Sequence, residues 1–580
     1  MKARPSFLGT TRCGLFATMA CATVLAASAG VSATPDDAGR SAASQSASAH
    51  GDSAATSGFS GSKWGDSSAD AVAKDAYGNH DAKMDPGSLF TVSKAIGARD
   101  TWKKQDDAGR PVTGQGVGVA LLDSGVAQVP GLDATGKVTF GPDLSIEGNG
   151  VLIHQDTFGH GTFMAGIIAG RGATSPSSDL PSAPASIQLG VAPDAKLLSL
   201  KLATTDGSTD VSQVIAALDW VTQHPVLSDG TRVRVINLSY GTDSAQGYQI
   251  DPLAAAAENA WKHGIVVVTS AGNSGSDTGA LSDPAIDPYV LAVGAADSSD
   301  KVNGWAPNHT KVASFSNVST DRHADLIAPG TSLVSLRVPG SYVDVNNPQG
   351  LVSGDVSGQL FRGSGTSQAG AVVSGAVADL LQAFPSLTPD QVKYALTASA
   401  DPVKDGDTDA VGAGMINMND AFSLANHIVK TTANGAGLKA AEVQSFAPAT
   451  GQGLLDAARG ADVPLDADGN VISGEFDIQG NPWNAPAWWQ ASTSLTAWSG
   501  GQWMGTTWTG DGWASDGSGL SSARWSSARW SSARWSSARW SDANWSSARW
   551  SSARWSSARW SSARWSSARW SSARWSSDSW

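Results

Sequence analysis

The chain has 580 residues and a formal net charge of −13 at pH 7, and 41% of its residues are hydrophobic. This length is sufficient for three or more domains. Both cysteines, Cys13 and Cys21, lie within the first 33 residues. If the chain is cleaved after this segment, the mature protein contains no cysteine. It then has neither disulfides nor a thiol-based mechanism.

The first 33 residues have the pattern of a secretory signal peptide. Lys2, Arg4 and Arg12 precede an apolar run from Gly14 to Ala29, and two clusters of small residues before position 34 offer cleavage sites. An uncleaved membrane anchor is the alternative, although the apolar run is short for a bilayer span. We therefore expect a secreted protein.

Residues 34–83 are rich in Ala, Ser, Gly and Asp and contain few large apolar side chains. Such a segment cannot offset the entropy of folding, so it is predicted to be a disordered leader or a short propeptide.

Residues 84–429 are predicted to form one α/β domain with a mostly parallel sheet. Short apolar runs that end in small or polar residues are typical of strands buried on both faces, and they alternate here with amphipathic stretches. The runs are GVGVALLD, AKLLSLKL, VRVINLSY, IVVVTSAG and VLAVGA. One helix is predicted over Asp251–Gly264, and another begins at Thr388, where T-P-D-Q offers a capping box.

Four residues in this domain are of the types that acyl transfer requires. Asp123 and Asn273 follow predicted strands, and His160 and Ser367 each precede a run of small residues. A serine hydroxyl is a weak nucleophile unless an imidazole takes its proton, and a carboxylate holds the imidazole in the required tautomer. We therefore predict Ser367 as the nucleophile, His160 as general base and acid, and Asp123 as its orienting group. The Asn273 amide is predicted to stabilise the oxyanion together with the Ser367 N–H.

The strings that carry these residues resemble the subtilisin-like serine peptidase family, in the same chain order. They are LLDSG around Asp123, HGTFMAG from His160, SAGNSG around Asn273 and GSGTSQAG around Ser367. GVAPDAKLL, INLSYG, IAPGTS and GAGMIN are further matches.

The resemblance implies a three-layer subtilisin-like fold and a serine endopeptidase that acts on polypeptides. It also implies two backbone rails that bind an extended substrate, one at Ser239, Tyr240 and Gly241 and one at Ser270, Ala271 and Gly272. It implies no cofactor for catalysis and allows a structural calcium ion. Asp405, Asp407 and Asp409 alternate as calcium ligands do, but the surrounding loop lacks the other features of a calcium-binding loop.

The sequence departs from the family pattern in several places. Ser124 stands where Thr is commoner, and Gln368 follows the nucleophile where Met is usual. The separation of His160 and Ser367 is about fifty residues longer than in subtilisin. Segments 171–186 and 339–358 are predicted to be inserted loops that rim the substrate cleft.

Residues 430–520 form an extension with degenerate Trp pentads, in which Trp498, Trp503, Trp508 and Trp513 are five positions apart. Residues 521–580 divide into twelve pentads, ten of them SSARW. A period of five gives no single face to a helix or a strand. A disordered tether and a pentapeptide solenoid both remain open.

The tail of pentads carries ten arginines against two aspartates, while the rest of the chain is acidic. Adjacent Arg and Trp side chains suit anionic polymers, so the tail is predicted to attach the protein to the cell envelope, with the cell wall or another anionic polymer as its partner. Nucleic acid is not expected as a partner, because the body is acidic and the repeats lack Lys.

A catalytically silent adhesin with the same fold is the rival hypothesis for the whole chain. The presence of Asp123, His160, Ser367 and Asn273 favours the enzyme, because a chain that performs no catalysis has no reason to keep all four groups.

Overall fold

The computed structural model describes 80–145, 147, 152–172, 176–276, 279–298, 305, 309–404, 406, 408–434, 442–460 and 474–508, and the backbone of 534–535. These residues belong to one compact unit of the chain, Val72–Trp580. The predicted signal peptide, the leader before position 80 and nearly all of the SSARW pentads lie outside the described residues.

The centre of the fold is an eight-stranded sheet. The strands of the structure are β1 (Val117–Asp123), β2 (Val138–Phe140), β3 (Lys196–Lys201), β4 (Arg232–Leu238), β5 (Tyr240–Gly241), β6 (Val266–Ser270), β7 (Leu291–Ser298), β8 (Thr310–Val312), β9 (Leu326–Pro329), β10 (Leu333–Leu336), β11 (Leu360–Gly363), β12 (Trp498–Ser499), β13 (Gln502–Trp503), β14 (Thr506–Thr507) and β15 (Arg534–Trp535). The main sheet has the order β2-β3-β1-β4-β6-β7-β8, and β9 also pairs with β7.

Every pairing in this sheet is parallel except that of β7 with β8. All residues of β1 and β6 are buried, as expected for central strands covered on both faces. The five apolar runs identified in the sequence form β1, β3, β4, β6 and β7, which confirms the predicted sheet.

Helices cover the sheet, and the architecture is the predicted three-layer α/β fold. They are α1 (Leu89–Ala95), α2 (Ala98–Thr101), α3 (His160–Ala169), α4 (Val211–Gln223), α5 (Pro252–Lys262), α6 (Tyr342–Asn346), α7 (Thr366–Ala383), α8 (Pro389–Ala398), α9 (Thr408–Val411), α10 (Met418–Ala433), α11 (Leu455–Arg459) and α12 (Ala485–Thr493). Helix α7 crosses β4, β6 and β7 with α3 beside it, and α4 packs against α5.

The two helices predicted from their end signals are present. Asp251 caps α5 by accepting hydrogen bonds from the N–H groups of Leu253 and Ala254. Thr388 and Gln391 form a capping box at the start of α8. Each cap satisfies backbone donors that have no acceptor within the helix, which explains why these helices begin where they do.

The C-terminal extension packs on the outer surface of α4. Trp488, Trp498, Trp503 and Trp508 are buried there. The short strands β12, β13 and β14 form an antiparallel meander, in which the indole N–H of Trp498 donates to the carbonyl of Ala216 on α4 and that of Trp503 donates to Asp219 on the same helix. The degenerate pentads up to Trp508 therefore belong to the folded body.

No helix among the described residues is both long enough and apolar enough to cross a membrane.

Candidate active site

Strand ends and helix starts place the four predicted catalytic residues. Asp123 is the last residue of β1, and Asn273 lies three positions after β6. Because β1, β4 and β6 are parallel neighbours, their carboxyl ends meet at one edge of the sheet, where open α/β sheets bind ligands. His160 is the first residue of α3, and Ser367 is the second residue of α7.

The structure joins Asp123 directly to His160. Nδ1 of His160 lies 2.8 Å from Oδ1 and 3.0 Å from Oδ2 of Asp123. Both side chains are 1% exposed, so bulk water does not weaken the contact. With Nδ1–H donated to the carboxylate, Nε2 is the nitrogen of His160 that can accept a proton.

Asp156 holds the backbone that leads into His160. Its Oδ1 accepts a hydrogen bond from Gly159 N–H at 2.6 Å, and its Oδ2 accepts one from Thr162 N–H at 2.7 Å. Ser124 donates its hydroxyl to Asp156 at 2.8 Å and accepts the N–H of Gly161 at 2.9 Å. Burial raises the pKa of Asp156 despite these donors. The first turn of α3 is thus tied to the residue that follows Asp123.

Sequence reasoning missed this role of Asp156 and treated Ser124 only as a departure from the family pattern. The available signal was an Asp shortly before a helix start, a position favoured for capping. Gly161 is a further constraint, because a Cβ on it would lie 2.1 Å from the carbonyl oxygen of Gly125. Only glycine can follow His160 in this geometry.

Thr366 fixes the orientation of the Asn273 amide. Oδ1 of Asn273 accepts the backbone N–H of Thr366 at 2.8 Å and its hydroxyl at 3.0 Å. This assignment of oxygen and nitrogen follows from the backbone donor, which requires an acceptor. Nδ2 of Asn273 is buried and has no hydrogen-bond partner among the described residues. An aligned donor without an acceptor is what a developing oxyanion needs.

Ser367 is fully buried in the first turn of α7, and α7 packs against α3. Backbone N–H groups in a first turn point out of the helix end, where the helix dipole favours negative charge. The Ser367 N–H thus comes from α7 and the Asn273 amide from the loop after β6. The hydrogen bonds from Thr366 to Asn273 link these two segments.

The two predicted rails differ in their backbone pairing. Tyr240 and Gly241 form β5, which pairs antiparallel with β15 of the tail and not with the main sheet. Ser239, which precedes them, is buried. This segment is a strand edge that accepts another strand.

The second predicted rail cannot pair with an added strand. Ser270 belongs to β6 and pairs with β7, and the N–H of Ala271 donates to the carbonyl of Val293 at 2.9 Å. Gly272 N–H donates to the hydroxyl of Thr366 at 3.3 Å. The N–H groups of Ala271 and Gly272 are therefore already bonded and are not available to an added strand, contrary to the expectation of a backbone rail at these residues.

Ser282 lies between the two segments. A Cβ on Gly241 would lie 2.6 Å from Cβ of Ser282, and a Cβ on Gly272 would lie 2.4 Å from its hydroxyl oxygen. The glycines thus allow both segments to approach the same side chain.

Metal ligands are not grouped in the part of the chain that the structure describes: no cluster of three or more His, Cys, Asp or Glu side chains is placed to hold an ion. Asp405 and Asp407 lie outside the described residues, and Asp409 lies near His323.

Comparisons with known proteins match the region of the chain that holds these residues. The model of the subtilase family (Peptidase_S8) matches residues 114–418. The chain is 34% identical over 339 residues to Serine protease AprX of Bacillus subtilis (strain 168), which covers 57% of this chain and 71% of that protein. It is 31% identical to Subtilisin DY of Bacillus licheniformis, over 53% of this chain and 91% of that protein. Subtilisin Savinase of Lederbergia lenta is 32% identical, over 54% of this chain and 93% of that protein.

Proposed function

Because the chain belongs to the subtilase family and is a subtilisin-like serine endopeptidase, we propose that Asp123, His160 and Ser367 are its catalytic triad. The observation that carries the proposal is the buried contact between Asp123 and Nδ1 of His160 at 2.8 Å. That contact leaves Nε2 as the proton acceptor for the hydroxyl of Ser367.

The reaction divides into acylation and deacylation. The Ser367 oxygen attacks the substrate carbonyl carbon while its proton passes to Nε2 of His160. The tetrahedral intermediate then breaks the C–N bond, and the leaving amine takes the proton from Nε2. Water next attacks the ester on Ser367 and gives its proton to His160, which returns it to Ser367 as the carboxylic acid departs. Asp123 stays ionised and stabilises the imidazolium in both steps.

Asn273 acts on the carbonyl oxygen, which gains negative charge in each tetrahedral intermediate. Its Nδ2 and the Ser367 N–H are the proposed donors. Because Thr366 already holds the amide in place, little reorganisation is needed when the charge develops.

Hydrolysis of an unfolded protein substrate tests these roles. Ser367→Ala and His160→Ala are expected to keep the melting temperature within a few degrees and to lose hydrolysis almost completely, because each removes a group that moves in the reaction. Full hydrolysis by folded Ser367→Ala would contradict the assignment of the nucleophile, whereas a folded wild type without any hydrolysis would favour the silent adhesin as the rival function.

The polypeptide substrate is proposed to lie along the first rail, formed by Ser239, Tyr240 and Gly241. Support comes from β5, whose backbone pairs with a strand that is not part of the main sheet. Ser270, Ala271 and Gly272 are proposed to form the facing wall of the cleft. An enzyme of this kind favours extended or unfolded segments over folded protein.

We also propose that the enzyme is secreted and that its pentad tail attaches it to the cell envelope. Support comes from the sequence: a signal-peptide pattern at residues 1–33 and ten tail arginines next to tryptophans.

The test compares the full chain with a chain that ends at Leu520, since truncation before Trp508 would remove buried indoles. Binding of both to the producer's cell walls is measured across a salt series. A third variant has the ten tail arginines changed to Gln. It keeps the tryptophans, so it separates the contribution of charge to cell-wall binding from that of aromatic contact. Only the full chain should be retained at low salt, and equal recovery of both chains in the low-salt wash would contradict attachment.

A second function for the tail is suggested by β15. The backbone of Arg534 pairs with Gly241 and that of Trp535 pairs with Tyr240, so two residues of the tail pair with the proposed substrate rail. In this alternative the tail competes with substrate. A chain that ends at Leu520 should then hydrolyse short peptides faster than the full chain, and added SSARWSSARW peptide should inhibit it competitively. Equal rates for both chains would exclude the alternative.

A further inference from the structure

Two aromatic rings next to the catalytic histidine have no role in the mechanism above. The ring of Phe158 lies 6.4 Å from the imidazole of His160, centroid to centroid, at an angle of 38°. The ring of Tyr342 stacks on Phe158 at 5.8 Å and 24°. Both residues are half-buried, so part of their surface faces solvent.

Tyr342 reaches this position because the inserted segment 339–358 is not the loop that the sequence predicts. It contains α6, which begins at Tyr342. The N–H of Tyr342 donates to the carbonyl of Thr157, and that of Val343 donates to the carbonyl of Phe158, both at 3.0 Å. The insertion therefore adds a layer directly onto the backbone that leads to His160.

The added layer is held rigidly. Arg337 forms a two-point ion pair with Asp344, Nε to Oδ1 at 2.5 Å and Nη2 to Oδ2 at 3.0 Å. Such paired charge-assisted bonds fix geometry as well as adding energy. A Cβ on Gly159 would lie 2.4 Å from the Ser341 hydroxyl oxygen, so the insertion and the histidine loop are in close contact.

Phe158 is confined from another direction by the loop after β3. A Cβ on Gly207 would lie 2.9 Å from the Phe158 ring. The ring thus has neighbours in Gly207, Tyr342 and His160 and keeps an exposed part. A ring fixed in this way loses little conformational entropy when it binds a ligand.

We propose that Phe158 and Tyr342 form an aromatic subsite for an apolar side chain next to the scissile bond of the substrate. The reacting carbonyl must lie between Ser367 and His160, so an adjoining substrate residue comes within reach of a ring centred 6.4 Å from the imidazole. Val345, three residues after Tyr342 on α6, is 66% exposed and extends the apolar surface. The inference rests on the proposed function, because it requires Ser367 to be the nucleophile.

The energetic basis is burial of the exposed part of the two rings. An aliphatic or aromatic substrate side chain removes this surface from water, whereas Gly or a charged side chain does not. Discrimination in a hydrophobic pocket commonly amounts to about 10- to 200-fold in kcat/KM. The lower end is expected here, because the subsite is open on one side.

The test measures kcat/KM on quenched peptides that carry Leu, Phe, Ser, Gly or Asp at each of the two positions that flank the scissile bond. Phe158→Ala and Tyr342→Ala are compared with Phe158→Leu and Tyr342→Phe, which keep an apolar side chain or the ring. Phe446→Ala is the matched control, since its ring contacts Tyr289 and no residue of the site. The melting temperature and the fluorophosphonate labelling of each variant report folding.

The wild type should prefer Leu or Phe over Gly at one flanking position by about tenfold. Phe158→Ala and Tyr342→Ala should reduce that ratio severalfold, while the conservative variants and Phe446→Ala retain it. If Phe158→Ala and Tyr342→Ala lowered kcat/KM by the same factor on all peptides, the inference would be overturned. The rings would then only hold His160 in place. An active wild type without any preference would overturn it as well. A wild type inactive on every peptide would contradict the proposed function instead, and the inference with it.

Discussion

The side-chain oxygen of Asn273 accepts a hydrogen bond from the backbone N–H of Thr366, 93 positions away in the chain and next to the proposed nucleophile. This single contact sets the direction of the amide N–H. It also ties the end of β6 to the start of α7, so the two proposed oxyanion donors have a fixed separation.

Asn273→Ala is therefore expected to lower kcat by about 10²–10³, as reported when subtilisin loses its oxyanion amide, with little change in KM. Thr366→Val should cause a smaller loss, because the backbone donor to Asn273 remains. Steady-state kinetics on one peptide checks both. A kcat for Asn273→Ala within a factor of three of the wild type would contradict the role of the amide.

Asp156 is expected to matter for both stability and activity. Asp156→Ala removes the acceptor of Gly159 N–H and Thr162 N–H at the start of α3, and losses of this kind cost about 0.5–2 kcal/mol. Because the same turn carries His160, kcat should fall as well. Urea unfolding and peptide kinetics measure the two effects, and Asp107→Ala at an exposed position is the control. An unchanged free energy of unfolding together with an unchanged kcat in Asp156→Ala would contradict the role of Asp156 in positioning His160.

The indoles around Asp219 predict a large loss of stability on truncation. Trp488 and Trp503 donate their indole N–H groups to Oδ2 of Asp219 at 2.9 and 2.8 Å, beneath the surface of α4. Trp503→Ala should lower the free energy of unfolding by about 3–5 kcal/mol. A chain that ends at Gly480 should be similarly impaired, whereas one that ends at Leu520 should melt like the full chain. Equal melting temperatures for Trp503→Ala, the chain that ends at Gly480 and the chain that ends at Leu520 would contradict a stabilising role of the buried indoles.

Asp287 predicts a pH dependence of stability. Burial, together with Glu258, raises the pKa of Asp287 to about 8. The folded chain thus holds a proton that the unfolded chain releases above its ordinary pKa of 3.8. Stability should fall as the pH rises from about 4 to 8, because the folded state binds more protons there.

Asp287→Asn removes the buried ionisation, so it should raise the free energy of unfolding at pH 8 and leave it nearly unchanged at pH 4. Urea unfolding at both values checks this, with the exposed Asp107→Asn as control. An identical pH dependence in wild type and Asp287→Asn would show that another group carries it.

The strands and helix starts that place the site were predictable because their signals are local. The run VGVALL leads into Asp123, and the Asp251 and Thr388 caps lie within three residues of the groups they bind. The supporting contacts were not predictable, since Thr366 meets Asn273 and Trp503 meets Asp219 only after folding. The pairing at the second predicted rail was not predictable for the same reason, because the N–H of Ala271 bonds to Val293 on the neighbouring strand.

The inserted segment 339–358 shows another limit of local signals. Its Ser, Gly and Asn content is typical of a loop, yet it contains α6 and contacts the histidine loop through Tyr342. That contact depends on backbone groups of Thr157 and Phe158, which carry no sequence signature.

Labelling with a fluorophosphonate, followed by peptide mapping, shows whether Ser367 is the nucleophile, because only an activated serine reacts rapidly. We expect one modified residue, Ser367, with labelling lost in Ser367→Ala and strongly reduced in His160→Ala. Absence of labelling in folded wild-type protein, or modification at another serine, would contradict this expectation.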